Sequence, residues 1–325
     1  MNYPALRLIT LAAISCLALG ACTTTAAAPS TTAPTGPVGI RIAVLPILDS
    51  LPMYVAQQEG LFTSQGIKVE LISVPSGAER DQLIASGQAD GMINELLSTM
   101  LYNKDQIQVQ TVRFARAATT EIPLFSILAS AKSDIQAVDG LKGVEIGISQ
   151  GTVIEYLTDR LLQAEGFSED EIKMIAVPKI PDRLALLGSG ELKAAMLPEP
   201  ASSLAVQQGA RVILDDTRHP EYSFSVITFR KAVIDQNPDA VRKFLAAIEQ
   251  AVQMINASPA KYNSLLSDQK IVPQPLIGSF QVPQFVTAGV PNQAQWEDTL
   301  TWAQDKGLIK VVLDYQASVN ASFLP

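Results

Sequence analysis

RIAVLPILDSLPMYVAQQEGLFTSQGIKVELISVPSG, residues 41–77, decides how this chain is read. Ile42, Val44 and Leu45 make a short apolar run, which Pro46 and the pair Asp49 and Ser50 break. Ser50 can cap a helix, and Pro52 falls in its first turn, where a missing N–H costs nothing. Tyr54, Val55, Leu61 and Phe62 give that helix an apolar face; Gly60 loosens its end and Gly66 closes the following turn. Val69, Leu71 and Val74 then lie on a second, mostly apolar strand. A strand, loop, helix and strand in this order bring two loops, residues 49–52 and 75–77, to the carboxyl edge of a sheet. That edge is where open α/β sheets bind ligands.

The same alternation continues outward. Residues 78–86 read as a helix with Leu83 and Ile84 inward, and Gly87 suits its left-handed end. Residues 91–93 read as a strand, after which Asn94 and Glu95 cap the helix 96–103. Further strands are expected at 107–113 and 123–129. A second set begins near Ser133: a strand at 144–148, a turn at 149–152, a helix through Tyr156, Leu161 and Leu162, a strand at 173–177 and a helix at 182–187. Strands at 194–197 and 211–214 follow, the first running into Pro198, Glu199 and Pro200. Residues 223–229 return the chain to the first set, and helices are expected at 240–257, 259–267 and 293–305. Strands alternating with helices predict an α/β fold with mostly parallel sheets and right-handed crossovers. The expected division is lobe 1 from 39–124 and 223–325, and lobe 2 from 125–222, with a hinge at the crossings near Leu124 and Ser223.

Composition narrows the function. The chain has 325 residues, 47% of them hydrophobic, enough for two packed cores. The net charge is −8 with no basic run, which speaks against a nucleic-acid partner. Arg7 is the only charge before an apolar run at residues 8–19, followed by Leu19, Gly20, Ala21 and Cys22, the layout of an export signal over 1–21. That run is shorter than the roughly 20 residues a spanning helix needs. Residues 22–38 are rich in Ala, Thr, Pro and Ser and read as a flexible tether. Cys16 lies within the signal, so the mature chain keeps only Cys22, and neither a disulfide nor a thiolate metal site is expected. His219 is the single histidine. A multi-histidine zinc site is impossible, and a Ser-His-Asp triad would rest on that residue alone. No metal and no cofactor are expected.

Two stretches carry a resemblance: LPMYVAQQEGLFTSQGIKVELISVPSGAERDQLIASGQADGMIN, residues 51–94, and AAMLPEPASSLAVQQGARVILDD, residues 194–216. They resemble periplasmic solute-binding proteins of ABC importers, in the branch that serves sulfonates, nitrate and thiamine-pyrimidine precursors. The resemblance implies a two-lobed type II periplasmic binding protein fold with a hinge and a central ligand cleft. It further implies a monomer that closes on a small molecule and delivers it to an ABC permease, and no enzymatic activity. Leu19 to Cys22 resembles a lipobox, which implies a diacylglyceryl group on Cys22 and a lipid-anchored protein on the extracytoplasmic side of the cell membrane. The thiamine branch carries a Trp-, Asn- and His-bearing loop after its first strand; here that loop is LPILDS, residues 45–50. The run from ILDSLPMYVAQQEGLF through TVIEYLTD to LPEPASSLA also resembles riboflavin-binding lipoproteins of Chloroflexus-like bacteria, which implies a flavin ligand. Two other classes stay open: a scaffold or sensor lipoprotein, and an enzyme of the eukaryotic branch that makes thiamine pyrimidine with a histidine and a cysteine-rich segment.

Candidate ligand-binding residues are those on loops facing a cleft. Asp49, Ser50, Tyr54, Ser76, Asn94 and Glu95 come from lobe 1, and Gln150, Gly151, Thr152, Tyr156 and Glu199 from lobe 2. Each has a plain structural alternative: Asp49 as a turn residue, Asn94 and Glu95 as helix caps, Ser76, Gly151 and Thr152 as turn and cap, Tyr54 and Tyr156 as core, and Glu199 as a carboxylate in a hinge turn. With Ser76, Gly77 opens a helix whose free N–H groups suit an anion or a carbonyl. Lys179 and Arg183 could attract an anion or remain solvated charges. Asp49 would repel a sulfonate or nitrate. A neutral, ring-bearing ligand with hydroxyls, its ring between Tyr54 and Tyr156, fits these residues better.

Overall fold

The computed structural model describes residues 38–325, so the export signal, Cys22 and nearly all of the tether lie outside the described residues. The chain opens with β1 (Val38–Val44), whose alternate residues Ile40, Ile42 and Val44 are buried. A 3-10 turn leads into α1 (Leu51–Gln58), with Pro52 in its first turn, and then α2 (Leu61–Ser64), which starts at Gly60 with φ +69°. β2 (Ile67–Ser73) pairs with β1 in parallel, Val38 facing Ile67 and Val44 facing Ser73. α3 (Gly77–Ala85), β3 (Gly91–Asn94), α4 (Leu96–Asn103) and β4 (Val109–Ala117) follow.

The chain then crosses to a second sheet. β5 (Phe125–Ala129), β6 (Glu145–Ile148), α5 (Val153–Ala164), β7 (Lys173–Ala176), α6 (Ile180–Ser189), β8 (Ala194–Pro198), α7 (Ala201–Gln207) and β9 (Arg211–Asp215) build it. A return crossing leads to β10 (Phe224–Arg230), which rejoins the first sheet, and to α8 (Lys231–Gln236), α9 (Pro238–Ala257), α10 (Asn263–Asp268), α11 (Gln293–Asp305) and α12 (Tyr315–Ser318).

The two five-stranded sheets share one plan, β2-β1-β3-β10-β4 and β7-β6-β8-β5-β9. In each, a single strand runs against its neighbours: β10 lies antiparallel to β3 and β4, and β5 antiparallel to β8 and β9. Those two strands are the ones that directly follow a crossing. A chain arriving from the other lobe enters at the edge the cleft occupies, so its first strand runs backwards through a sheet otherwise assembled by parallel βαβ units. The expected strand at 107–113 is displaced by a few residues, because Val109 to Ala117 finds its partner in β10.

Helices cover both faces. α9 buries Val241, Phe244, Leu245, Ile248, Val252 and Ile255 at helical spacing, and Phe244 meets Phe62 and Phe229 at ring-centroid distances of 5.3 and 5.4 Å. Tyr54 belongs to this core. A second core joins α4, α5 and α11. Although α11 follows the return crossing, it packs on α4 and is tied to α5: Trp302 donates Nε1–H to Asp159 at 2.6 Å, and Arg160 meets Asp298 at 3.0 Å. Asp216 sits between the crossings. It is fully buried and accepts the backbone N–H groups of Leu124 and Phe125, both at 3.0 Å, and the hydroxyl of Ser223. Burial pushes its carboxyl up to about 6, against the pull of these donors.

Candidate functional site

The carboxyl ends of both sheets face one cavity. Lobe 1 supplies Leu45, Ile47 and Asp49 after β1, Ser76, Gly77 and Arg80 at the start of α3, Ile93 and Asn94 at the end of β3, and Glu95. Lobe 2 supplies Phe125 from β5, Ser149 and Thr152 after β6, Val153 and Ile154 at the start of α5, Pro178, Ile180 and Arg183 after β7, and Pro198 at the end of β8. The walls are mostly apolar. The volume is about 70 Å³, room for about five waters.

Nine of the nineteen lining residues are polar, and three of them carry a buried polar atom without a partner. Asn94 donates its Nδ2 to Thr99 at 3.1 Å, which leaves Oδ1 buried without a partner. Glu95 caps α4 with Oε2, which accepts the Ser98 N–H at 2.9 Å, and Oε1 is left unpaired, 3.8 Å from Arg80 Nη2. Burial pushes the Glu95 carboxyl up to about 7, despite the Arg80 charge. Arg183 is fully buried; Nε donates to the carbonyl of Met196 at 2.8 Å and Nη1 to that of Val177 at 2.7 Å, while Nη2 has no partner. Burial without a carboxylate lowers the Arg183 guanidinium to about 10. Arg80, by contrast, meets Asp81 at 2.8 Å. Asp49 accepts the Ser225 hydroxyl and lies 3.7 Å from Arg116. Unpaired buried polar atoms are uncommon in folded proteins, because each forfeits its hydration. Here two acceptors from lobe 1 and one donor from lobe 2, all enclosed in this arrangement of the lobes, belong to residues that line a single cavity.

Of the residues expected from the sequence, Asp49, Ser76, Asn94, Glu95 and Thr152 line the cavity. The others lie elsewhere. Ser50 is fully buried and donates to the carbonyl of Leu45 at 2.8 Å, so it neither caps α1 through its side chain nor faces the cleft. Tyr54 turns into the core under α9. Tyr156 is buried against Trp302 and Tyr222, edge to face, with its hydroxyl on Asp298 at 2.5 Å. Neither tyrosine lines the cavity, so the expected tyrosine sandwich is not formed: the phase of both helices turns the rings toward α9 and α11. Gln150 is exposed on an outer depression. Gly151 donates its N–H to Glu155 at 2.7 Å. Glu199 accepts the hydroxyls of Ser202 and Ser203 and faces a separate groove of about 460 Å³ beside Arg116 and Phe280.

Sequence reasoning missed Arg80, Ser149 and Ser225, and left Arg183 as an open choice between anion attractor and solvated charge. Arg183 is no solvated charge. Its signal is positional: like Arg80, it stands four residues after the N-cap of the helix that follows an edge strand. Lys179, its neighbour, is half exposed and 3.8 Å from Glu79 across the cleft.

Two α/β lobes of one plan, joined by two crossings and facing each other through their strand ends, define the two-lobed periplasmic binding protein fold. The chain belongs to the NMT1/THI5 like family, whose model matches residues 48–262. A putative thiamine biosynthesis protein of Haemophilus influenzae is 25% identical over 264 residues, 79% of this chain and 77% of that one. A putative ABC transporter periplasmic binding protein of Brachyspira hyodysenteriae is 23% identical over 236 residues, covering 68% and 66% of the two chains. In structure, the alkanesulfonate-binding protein of Xanthomonas axonopodis pv. citri bound to MOPS superposes with a TM-score of 0.74 at 18% identity, covering 88% of this chain and 99% of its own.

Proposed function

We propose that the protein is the solute-binding component of an ABC importer, held by a lipid on Cys22 at the extracytoplasmic side of the membrane. Its ligand is a neutral, ring-bearing solute, with riboflavin the specific candidate. The observation that carries this reading is the set of three unpaired polar atoms, Asn94 Oδ1, Glu95 Oε1 and Arg183 Nη2, between apolar walls from both lobes. Binding sites for small organic molecules have this make-up: apolar surface with a few placed polar groups. Asp49 and Glu95 line the same space as Arg80 and Arg183, a mixed set of charges that suits a ligand with both donors and acceptors better than a bare oxyanion. Relatives described as a periplasmic binding protein and an alkanesulfonate-binding protein support the transport reading. The enzyme reading has less support, since His219 lies on a 3-10 turn beside Glu221 at 3.4 Å and does not line the cavity.

A ligand of flavin size exceeds about 70 Å³, so it binds only with the lobes held further apart. Opening about the two crossings supplies that room, and the ligand then favours whichever lobe spacing lets both sides touch it. Phe125 and the Ile and Pro walls, rather than a tyrosine pair, would meet the ring. The test is a titration of riboflavin with the purified protein, followed by flavin fluorescence. Saturable quenching at micromolar protein is expected. If riboflavin, thiamine pyrimidines and alkanesulfonates all leave the melting temperature unchanged, the binding-protein reading fails.

A further inference from the structure

We infer that the cavity reads the lactam or imide edge of a heterocycle, a ring N–H beside a ring carbonyl, with Arg183 donating to the carbonyl and Asn94 and Glu95 accepting the N–H. This rests on the binding-protein reading and names the part of the ligand that the site recognises. The argument starts from polarity. The unpaired atoms of lobe 1, Asn94 Oδ1 and Glu95 Oε1, are acceptors on consecutive residues at the end of β3. The unpaired atom of lobe 2, Arg183 Nη2, is a donor. A ligand that satisfies all three therefore offers at least one N–H or O–H and at least one acceptor.

The walls decide which kind of ligand does this. Leu45, Ile47 and Ile93 on one side, and Phe125, Val153, Ile154, Pro178, Ile180 and Pro198 on the other, are apolar. A polyol has donors and acceptors on every side, and because Ser76, Thr152 and Ser225 on the lining are already hydrogen-bonded within the protein, most of its hydroxyls would lose water without a free partner. A simple anion would use Arg183 and leave both acceptors unpaired, one of them on the Glu95 carboxyl. A flat heterocycle has apolar faces for the walls and gathers donor and acceptor on one edge. The edge also joins the lobes, because its carbonyl reaches Arg183 while its N–H reaches Asn94 and Glu95. Closure around such a ring completes the hydrogen bonds of both lobes together.

Glu95 gives the sharpest handle. Its Oε2 caps α4 through Ser98, so Glu95→Gln can keep the cap with its amide oxygen and present an N–H₂ where Oε1 stood. That reverses the polarity at one point and preserves size.

The test compares lumiflavin with 3-methyllumiflavin, in which the ring N–H is replaced by N–CH₃, and 1-methyluracil with 1,3-dimethyluracil. Affinities are measured by calorimetry on the full-length protein and on Glu95→Gln. The member of each binding pair that lacks the ring N–H is expected to bind at least tenfold more weakly, and Glu95→Gln to lose most of that preference. Equal affinity for lumiflavin and 3-methyllumiflavin would overturn the edge inference while leaving a flavin-binding protein in place. Preference for 1-methyluracil over 1,3-dimethyluracil without flavin binding would uphold the edge and remove riboflavin. Binding of alkanesulfonates alone would overturn the edge and leave the importer reading, whereas no binding of any of these probes would overturn both.

Discussion

Arg80 and Arg183 occupy the same place in the two lobes. Arg80 stands four residues after Ser76, the N-cap of α3, and donates Nη1 to the carbonyl of Ile93, the third residue of β3, at 3.2 Å. Arg183 stands four residues after Lys179, the N-cap of α6, and donates Nε to the carbonyl of Met196, the third residue of β8, at 2.8 Å. β3 and β8 hold the same middle position in their sheets. The neighbours differ. Arg80 has Asp81 at 2.8 Å and Glu95 at 3.8 Å, whereas Arg183 has no carboxylate within 4 Å among the described residues. A duplicated framework thus holds one compensated and one uncompensated cation over a single cavity, and gives the cavity its polarity.

The raised Glu95 carboxyl sets a pH dependence. With its folded value at about 7 against an ordinary 4.5, the group contributes stability that is fully present below about 4.5 and lost as pH rises through 7. Urea unfolding between pH 4.5 and 8 is expected to show this decline for the unliganded protein, and Glu95→Gln to remove the Glu95 share of it, read between pH 6 and 8 where the Asp216 share is mostly spent. A ligand that donates to Oε1 prefers the ionised form, so its affinity rises over the same interval. A pH-independent affinity for such a ligand would place its donor elsewhere.

The Asp216 clasp gives a second test. Asp216→Ala strands two backbone N–H groups and the Ser223 hydroxyl at the hinge, and is expected to cost about 3 kcal/mol, read from urea midpoints, since each buried unpaired group costs roughly 1–3. Asp216→Asn keeps the shape and one acceptor, and should lose about 1 kcal/mol. The carboxyl value of about 6 adds a stabilising contribution complete below about 3.8 and lost as pH rises through 6. The Asn variant should lack that slope.

How far the sequence reaches is set by which links are local. Strand and helix order, the capping roles of Ser76, Glu95 and Thr152, and the two sheets follow from short-range pattern. The carboxyl-edge argument found Asp49, Asn94 and Glu95 because a residue just past a strand end has few directions to face. It misplaced Tyr54 and Tyr156, each one turn into a helix. Their facing depends on α9 and α11, which lie about 190 and 140 residues further along the chain, and no local period records that. Arg183 was legible as a charge but not as a buried one, because its burial is made by the carbonyls of Val177 and Met196. The tether and Cys22 remain expectations from composition and the lipobox-like ending.

Tyr156 separates the two pictures of the site. Its ring packs in the seam of α5 and α11, and burial, followed by its bond to Asp298, raises its hydroxyl above the ordinary tyrosine value. Tyr156→Phe keeps the ring and removes one bond to a carboxylate that Arg160 still holds. A loss of about 1–2 kcal/mol in urea stability is expected, with ligand affinity unchanged within about twofold. A large loss of affinity at unchanged stability would return Tyr156 to the cleft.

Arg183 carries the opposite pattern. A buried cation without a counter-ion is costly to fold, and replacing buried charge by an apolar side chain of similar length is often neutral or stabilising. Arg183→Met gives up bonds to the carbonyls of Met196 and Val177 but removes the stranded Nη2. Loss of the two bonds and release of the buried charge oppose each other, so its unliganded melting temperature should change little. Ligand affinity should fall about 10- to 100-fold, which corresponds to the roughly 1.5–3 kcal/mol of a hydrogen bond to a charged group. Calorimetry and thermal melts of the same preparations separate the two effects. A variant both less stable and still ligand-competent would make Arg183 a structural prop of the loop after β7, and the donor to the ligand would have to be sought among Ser149 and the N–H groups at the start of α5.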